Sequence, residues 1–311
     1  MFPNVPECYY SQENGDDYDC FVAFRVVAGS DRKLWPVVRT SRTTDSLWLE
    51  AACDGLLVVS VGRREKDYFV CNPANCQYAP LLLLPRCPFS TVRIAGFYRH
   101  HPSEEFRVLY WMKSEDMDQV HYNVLAVGSD DPRTVYNYRE KISDASWPAM
   151  QRSVDQALLT GLLGSSYNPP VFYHGNLHWD TGWCSETTAD IMVFDTVAEK
   201  FRWMRHPPAA SDPRAWLQEL DGALAMWSTV DGVHLDFSVM QDYESKVWTF
   251  KLRMNLSAVE VPLQQLDGLQ VNSNCPKIVM VNDHELLTDL IRGHLLHCNI
   301  DGNFLGSMLG S

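Results

Sequence analysis

One short motif recurs four times along the chain and limits the folds that the sequence can adopt. In each copy a strand-like stretch ends at Asp or Asn, and a large aromatic residue follows six positions later. The pairs are Asn72/Tyr78, Asp130/Tyr136, Asp195/Phe201 and Asp242/Trp248. An Asp or Asn at the start of a turn accepts a hydrogen bond from the backbone two residues further on. The motif therefore predicts a repeated hairpin whose aromatic ring, on the returning strand, can cover the gap between adjacent sheets.

A second element, Gly-x-Leu, lies upstream of three of the four motifs. It begins at Gly55, Gly175 and Gly222, and the last two of these glycines are 47 residues apart. Repeats of about 40 to 50 residues are typical of β-propeller blades. Two further hairpins, at residues 21–38 and 295–303, bring the expected number of outer hairpins to six. We therefore predict an all-β fold, an irregular kelch-like β-propeller of about five or six blades.

The charge balance argues against nucleic acid as a partner. The chain has 26 Lys and Arg against 39 Asp and Glu, a net charge of −13, whereas binding to a phosphate backbone depends on positive charge. No apolar run approaches the roughly 18 residues that a membrane helix needs, so no membrane partner is expected. The nine cysteines lack regular spacing, which favours reduced thiols, and the first residues lack a signal-peptide pattern. The sequence thus predicts a cytoplasmic or nuclear location.

The distribution of charge and of strand-like sequence predicts three segments. Residues 1–19 contain several acidic residues and no basic residue, so we predict an acidic, disordered leader. Strand-like sequence begins near Cys20. Residues 20–306 are predicted to form the propeller domain, and residues 307–311 a short tail.

Three pairs of phrases resemble the plant F-box-associated domain, most closely its grass members. The first pair is residues 53–57 (CDGLL) with 70–74 (VCNPA). The second pair is residues 174–179 (HGNLHW) with 193–201 (VFDTVAEKF), and the third is residues 220–224 (LDGAL) with 241–248 (QDYESKVW). Their order and spacing agree with the family over roughly residues 50–305. The double glycine of true kelch repeats is missing, so the blades are expected to be irregular.

The resemblance implies a role in protein recognition. Members of that family are substrate-receptor subunits of Skp-cullin-F-box ubiquitin ligases, in which a three-helix F-box docks on a Skp-type adaptor. The propeller that follows holds the protein to be ubiquitinated. Residues 1–19 show no amphipathic helical pattern, so we expect the F-box to be missing and the adaptor to bind only if an F-box is supplied. The resemblance therefore implies a module that binds a protein substrate or partner.

The sequence contains no pattern that predicts catalysis or a cofactor. A Gly-x-Ser-x-Gly elbow and the glycine-rich phosphate loops are absent. His174 with His178, and His294 with His297, are spaced histidine pairs, but no acidic or cysteine ligand is placed near either pair, so no metal site is predicted. We expect no cofactor and no enzyme activity. The alternative that stays open is a carbohydrate-binding or glycoside-processing β-propeller, because propeller glycosidases use paired carboxylates.

The candidate partner-binding residues are aromatic and basic residues in turn-like sequence. Aromatic side chains and arginines dominate the hot spots of protein interfaces. The candidates chosen on this basis are Tyr98, Arg99, His101, Trp183 and Trp216. The competing interpretation is that each aromatic ring is buried against its own loop.

Overall fold

The structure, a computed structural model, describes most of the strand-like sequence. The described residues are 20–23, 35–39, 47–62, 66–75, 77–81, 90–114, 117–137, 158, 170–180, 190–207, 215–220, 222–230, 234–255, 278–282, 285–291, 294–299 and 304–309. The leader predicted at residues 1–19 lies outside them. In the described part of the chain, no helix has the length and apolar character needed to span a membrane.

Five four-stranded sheets and one two-stranded pair are found among these residues. The pair is β1 (Cys20–Ala23) with β2 (Trp35–Arg39). Sheet 1 is β3 (Leu47–Cys53), β4 (Leu56–Val61), β5 (Asp67–Asn72) and β6 (Gln77–Pro80), and sheet 2 is β7 (Ser90–His100), β8 (Glu105–Ser114), β9 (Met117–Ala126) and β10 (Arg133–Asn137). Sheet 3 is β11 (Val171–Tyr173), β12 (Asn176–Asp180), β13 (Asp190–Asp195) and β14 (Lys200–Arg205). Sheet 4 is β15 (Ala215–Leu220), β16 (Ala223–Val230), β17 (His234–Asp242) and β18 (Val247–Asn255), and sheet 5 is β19 (Ile278–Asn282), β20 (Glu285–Ile291), β21 (His294–Asn299) and β22 (Phe304–Leu309).

Each four-stranded sheet is an up-and-down meander. Its strands pair in chain order, and the pairings are antiparallel, as in β4 with β5 and β8 with β9. Consecutive four-stranded meanders are the local organisation of propeller blades. The prediction of an all-β, propeller-type fold is therefore confirmed. The last strand runs to Leu309 and so includes the first three residues of the predicted tail.

The chain divides into two compact units. The first comprises residues 1–169 together with residues 196–200, and the second comprises residues 170–195 and 201–311. Strands β1 to β10 therefore belong to the first unit, and β11 to β22, apart from Lys200, belong to the second.

The repeated Gly-x-Leu element forms the turn between the first two strands of a sheet. Asp54 and Gly55 have φ angles of 48° and 80°, and His174 and Gly175 have φ angles of 47° and 69°. Each pair connects strands whose ends are in direct register, Cys53 with Leu56 in sheet 1 and Tyr173 with Asn176 in sheet 3. A two-residue hairpin with positive φ at both positions is a type I′ turn, which matches the twist of the flanking strands.

Sheet 2 lacks this element because its first turn is longer. His100 pairs with Glu105, which leaves four residues, 101–104, in the turn. Only Glu104 among these four has a positive φ, of 58°, and a single left-handed position does not demand the Asp-Gly type of sequence.

The polar residue of the recurring motif caps its turn as predicted in sheets 1 and 4. Asn72 Oδ1 accepts a hydrogen bond from the backbone N–H of Ala74 over 3.0 Å. Asp242 Oδ1 accepts bonds from the N–H groups of Glu244 and Ser245 over 3.0 and 3.2 Å. In the turn of sheet 2, the hydroxyl of Ser129 accepts the corresponding bond from Asp131 over 3.1 Å. Short-range turn chemistry thus fixes these hairpins locally.

The aromatic residues of the motif differ in burial. Trp248 is half-buried against the core of sheets 3 and 4, and Phe201 packs on Phe194 with ring centroids 4.9 Å apart. Tyr78, however, is 58% exposed and meets Phe69 of its own sheet edge-on. The expectation that the ring covers a gap between sheets therefore fits Trp248 and is wrong for Tyr78. The side chain of Tyr136 lies outside the described residues.

Each unit has its own apolar core between neighbouring sheets. In the first unit the core lies between sheets 1 and 2 and includes Val58, Val70, Ile94, Phe97, Val108, Tyr110 and Leu125. In the second unit it lies between sheets 3 and 4 and includes Ile191, Val193, Met204, Ala215, Leu224, Met226 and Met240. Complete burial of a side chain such as Ile94 contributes about 1.5 to 3 kcal/mol. These cores hold the turns at the sheet ends in fixed positions.

Candidate functional site

The meander topology places two turns at one end of sheet 1 and two at one end of sheet 2, and Leu56, Asn72 and Val127, which flank three of these turns, line one groove. In any up-and-down sheet, the turn after the first strand and the turn after the third strand emerge from the same end. In sheet 1 these turns contain residues 54–55 and 73–75, and in sheet 2 they are residues 101–104 and 127–132. We call these turns and the strand ends that flank them the turn end of the first unit.

An open groove of about 550 Å³ lies at the turn end. It is lined by Leu56, Val70, Asn72, Gln77, Tyr78, Ala79 and Val127. Leu56 and Val127 are half-buried and pack against the core between the two sheets. The groove is open to solvent, and its lining is mostly apolar.

Tyr78, next to the groove in sequence, directs its ring to the opposite face of sheet 1, because it pairs with Cys71 whereas Ala79 pairs with Val70. It stands on β6, all four residues of which are exposed. An exposed ring of this kind offers a large contact area at a low cost in conformational entropy. Sequence reasoning assigned Tyr78 to packing because it occupies the position of Trp248 in the repeat. The exposure of the ring could have been predicted from the neighbouring residues, because Gln77, Ala79 and Pro80 are typical of a short edge strand.

A buried carboxylate organises the charged residues of the turn end. Glu199 lies in the turn 196–199, has a φ of 50°, and its side chain is 2% exposed. Its Oε1 accepts hydrogen bonds from Tyr98 Oη over 2.9 Å and from Arg107 Nη1 over 2.7 Å, and Arg133 pairs with its Oε2. Burying an unpaired carboxylate is costly. The two guanidinium groups therefore make this burial possible.

The turn 101–104 carries a second, exposed set of charges. Ser103 Oγ donates to Glu105 Oε2 over 2.7 Å, and Arg107 Nη2 donates to the same oxygen over 2.9 Å. These two contacts lower the pKa of Glu105 below its usual value, the Ser103 bond being the larger cause. Arg99 pairs with Glu104 in the same turn.

Two of the five candidate residues are not loop residues, and the structure corrects their placement. Tyr98 lies within β7, is completely buried and has its hydroxyl bonded to Glu199. Trp216 lies within β15, is 7% exposed and stacks on Trp227 with ring centroids 4.1 Å apart and an interplanar angle of 17°. Both rings are committed to the core because alternate positions of a strand between packed sheets point inward. Neither ring offers surface to a partner.

The other three candidates have different outcomes. The side chains of Arg99 and His101 are 44% and 68% exposed, so these two residues remain predicted contact residues at the turn end. Trp183 lies outside the described residues. Tyr98 and Arg99 thus lie in β7 of sheet 2 and His101 in the turn that follows it, whereas Trp216 lies in sheet 4.

The histidine pair at 174 and 178 belongs to an aromatic network in the second unit. His178 Nδ1 lies 3.1 Å from the carbonyl oxygen of Val171, which can only accept, so Nδ1 carries the proton. His178 Nε2 consequently accepts from Tyr243 Oη over 2.9 Å, and Arg202 Nη2 donates to the same hydroxyl over 3.0 Å. The ring of His174 stacks on Tyr243 at 4.8 Å.

This network explains both histidines without a metal. Burial, with a smaller effect from the nearby Arg202, lowers the pKa of His178 to about 4, so the ring is neutral at physiological pH. Within the described residues, no group of three or more His, Cys, Asp or Glu side chains could hold a metal ion. In sheet 5, His297 Nε2 lies 3.0 Å from Glu285 Oε2.

Comparison with known proteins gives one family match. Residues 34–261 match the family described as the F-box associated beta propeller domain. No curated protein matches the chain significantly.

Several solved structures are similar over most of this chain at low identity. A chain of a nidogen/laminin complex has a TM-score of 0.45 and 10% identity, and covers 94% of this chain and 91% of its own. YCF48 from Cyanidioschyzon merolae has a TM-score of 0.45 and 11% identity, with coverages of 100% and 89%. A prolyl endopeptidase has a TM-score of 0.44 and 14% identity over 95% of this chain. The present chain spans 38% of that endopeptidase. None of these likenesses bears on what this chain binds.

Proposed function

The chain belongs to the family of F-box associated β-propeller domains, and from this membership we propose that it is a non-enzymatic module that holds another protein. In the family, such a propeller is the substrate-recognition part of a Skp-cullin-F-box ubiquitin ligase receptor. The proposed role of this chain is therefore to select the protein that such a ligase ubiquitinates.

The observation that supports this proposal is the apolar groove at the turn end. The groove, of about 550 Å³, is lined by Leu56, Val70, Ala79 and Val127 together with two uncharged polar residues. Specificity in a propeller comes from turns and loops, because the strands are committed to the sheets. An apolar groove held between turns suits an apolar anchor residue of a partner protein.

The role divides into two separable activities. The propeller holds the substrate, and adaptor docking requires an F-box. We propose that the 311 residues by themselves do not dock the Skp-type adaptor, since residues 1–19 lack an amphipathic helical pattern. Co-purification with recombinant adaptor tests this point directly. Stable binding of the unmodified chain would refute it, whereas a family F-box fused ahead of Asp19 is expected to confer binding.

Substrate recognition is tested by affinity purification with quantitative mass spectrometry. The wild-type propeller is compared with Ala79→Trp, which fills the groove at an exposed position, and with Phe250→Ala, a control on the exposed face of β18. We expect specific partners to be lost with Ala79→Trp and retained with Phe250→Ala. Equal recovery with all three proteins would place recognition outside the groove.

The carbohydrate-binding alternative is tested by the same pair of variants. The three proteins are applied to a glycan array and to a panel of chromogenic glycosides. Glycan binding that disappears with Ala79→Trp and persists with Phe250→Ala, in the absence of a captured protein, would favour that alternative.

A further inference from the structure

We propose that the groove at the turn end binds an extended segment of the partner in which one apolar side chain is flanked by Lys or Arg. The inference rests on the proposed function, because it specifies which part of a protein partner this site takes. Its three components are the neutral groove, the unpaired negative charge around it, and the open edge of β6.

The groove itself selects against charge. None of its seven lining residues carries a charge, and Asn72 and Gln77 are the polar ones. Asn72 Oδ1 already accepts from Ala74, and Gln77 Oε1 accepts from Asn75 over 3.0 Å. A charged group placed here would lose hydration without gaining an ion pair, which is unfavourable. The group that enters the groove is therefore apolar, and it meets Leu56, Val70, Ala79 and Val127.

The arginines of the turn end are already neutralised by carboxylates. Arg99 pairs with Glu104, Arg107 pairs with Glu105 and Glu199, and Arg133 pairs with Glu199. The charges of these three arginines are balanced by those of three carboxylates, so the six side chains together contribute no net charge. The turn end therefore offers little positive charge that could attract an acidic segment of a partner protein.

Three further carboxylates around the groove are uncompensated. Asp54 lies in the turn that leads into Leu56, and Asp130 and Asp131 follow Val127 in the turn 127–132. All three residues are exposed, and none has an ion-pair partner among the described residues. A partner segment with Lys or Arg beside its apolar anchor complements this negative charge. The net charge of −13 of the whole chain acts in the same direction.

The edge of sheet 1 favours an extended segment over a helix. Among the residues that the structure describes, β6 is the outermost strand of that sheet and pairs with β5 alone. Its residues Tyr78 and Ala79 line the groove. An open strand edge presents backbone N–H and C=O groups at alternate residues, which an extended peptide can pair with. The segment would thus run beside β6 with its apolar side chain in the groove.

The test uses synthetic, fluorescently labelled peptides and the complete 311-residue chain. Four peptides of about nine residues, roughly 30 Å when extended, carry a central Leu with Lys/Arg, Asp/Glu or Ser flanks, or a central Ser with Lys/Arg flanks. Fluorescence polarisation gives each Kd. We expect the basic peptide with Leu to bind at least about tenfold more tightly than the other three, and its affinity to fall with added salt.

Matched variants assign that binding to the groove. Asp130→Asn with Asp131→Asn removes the charge, and Ala79→Trp fills the groove. Each is expected to weaken the basic Leu peptide by about fivefold or more, which exceeds the error of such measurements. The controls, Glu219→Gln with Glu244→Gln and Thr249→Trp, make equivalent changes at exposed positions of the second unit and are expected to leave the Kd unchanged.

The possible failures are distinguishable. Equal or tighter binding of the acidic peptide, no binding of the basic Leu peptide up to about 1 mM, or equal effects of test and control variants would overturn the inference. If a protein partner is still captured specifically in any of these cases, the recognition role survives and only its ligand class is wrong. If no protein is captured by the wild-type chain, the proposed function fails as well.

Discussion

Tyr98 and Glu199 are 101 residues apart in the sequence, yet the hydroxyl of Tyr98 donates a hydrogen bond to Glu199 Oε1 over 2.9 Å. Both groups are buried, and burial raises the pKa of Tyr98, so the hydroxyl keeps its proton. Through this contact and those with Arg107 and Arg133, the turn 196–199 is part of the first compact unit. The structural role of Glu199 is therefore to connect the turn 196–199 to Tyr98, Arg107 and Arg133 of sheet 2.

Replacing Glu199 by Ala is expected to lower the free energy of unfolding by about 3 kcal/mol. The substitution leaves Arg107 Nη1 and the buried hydroxyl of Tyr98 without their acceptor, while Arg107 Nη2 keeps its contact with Glu105. Arg133 adds little because its side chain is 61% exposed. Urea unfolding measures the change. Tyr98→Phe, which removes only the hydroxyl, is the control and should cost about 1 kcal/mol, and a loss below that for Glu199→Ala would contradict the assignment.

The hairpins were predictable from sequence, whereas this contact was not. The turns at Asp54-Gly55 and His174-Gly175, and the capping of Asn72 and Asp242, depend on residues a few positions apart. Their chemistry can therefore be read locally. The bond between Tyr98 and Glu199 depends on which turn is placed beside which sheet, and no local pattern encodes that placement.

The burial of individual aromatic residues was likewise not predictable from the sequence. Tyr78 and Trp216 are both aromatic residues on strands, yet one is 58% exposed and the other 7% exposed. Burial is decided by the neighbouring side chains, such as Trp227 in the case of Trp216. Single-sequence periodicity gives the face of a strand, but it does not show whether another element covers that face. The accessibility of Arg99 and His101 was easier to predict than that of the aromatic rings, because these two residues lie at the end of a strand and in a turn.

Trp216→Ala is expected to destabilise the fold by about 3 to 5 kcal/mol, the usual cost of truncating a buried large aromatic residue. The ring is stacked on Trp227, and its removal leaves a cavity in sheet 4. Trp248→Ala should cost about 2 kcal/mol, because Trp248 is half-buried and its Nε1 donates to the carbonyl of Arg205 over 3.2 Å. Denaturant unfolding of both variants tests whether Trp216→Ala is the more destabilising substitution. A greater loss for Trp248→Ala would show that the burial of the two rings has been assigned wrongly.

Lowering the pH is expected to destabilise the second unit through His178. Its pKa is about 4 in the folded protein and near 6.5 when exposed, so the unfolded chain binds more protons between these values. The stability contributed by neutral His178 is thus complete above pH 6.5 and is lost as the pH falls towards 4. Charging the ring would also oppose the hydrogen bond from Tyr243 and the positive charge of Arg202.

Unfolding experiments at pH 7 and pH 4.5 on wild type and His178→Gln measure this effect. The stability difference between the two proteins should shrink by about 2 kcal/mol at the lower pH, since the variant lacks the titrating ring. His101→Gln is the control, as that side chain is 68% exposed. A difference that stays constant with pH for His178→Gln would mean that the ring titrates equally in the folded and unfolded chains.

The combined substitution of Arg99 and His101 by Ala is expected to weaken partner capture while leaving the thermal midpoint within a few degrees. Both side chains are largely accessible, and the surface ion pair of Arg99 with Glu104 contributes at most about 1 kcal/mol to stability. If these residues are contact residues for the partner, their loss should cost about 2 kcal/mol of binding free energy, or roughly thirtyfold in Kd. Thermal unfolding and affinity capture are measured on the same samples, with Lys251→Ala as an exposed control on β18. Unchanged capture, together with loss of capture by Ala79→Trp, would confine recognition to the groove and exclude the turn 101–104 from the contact surface.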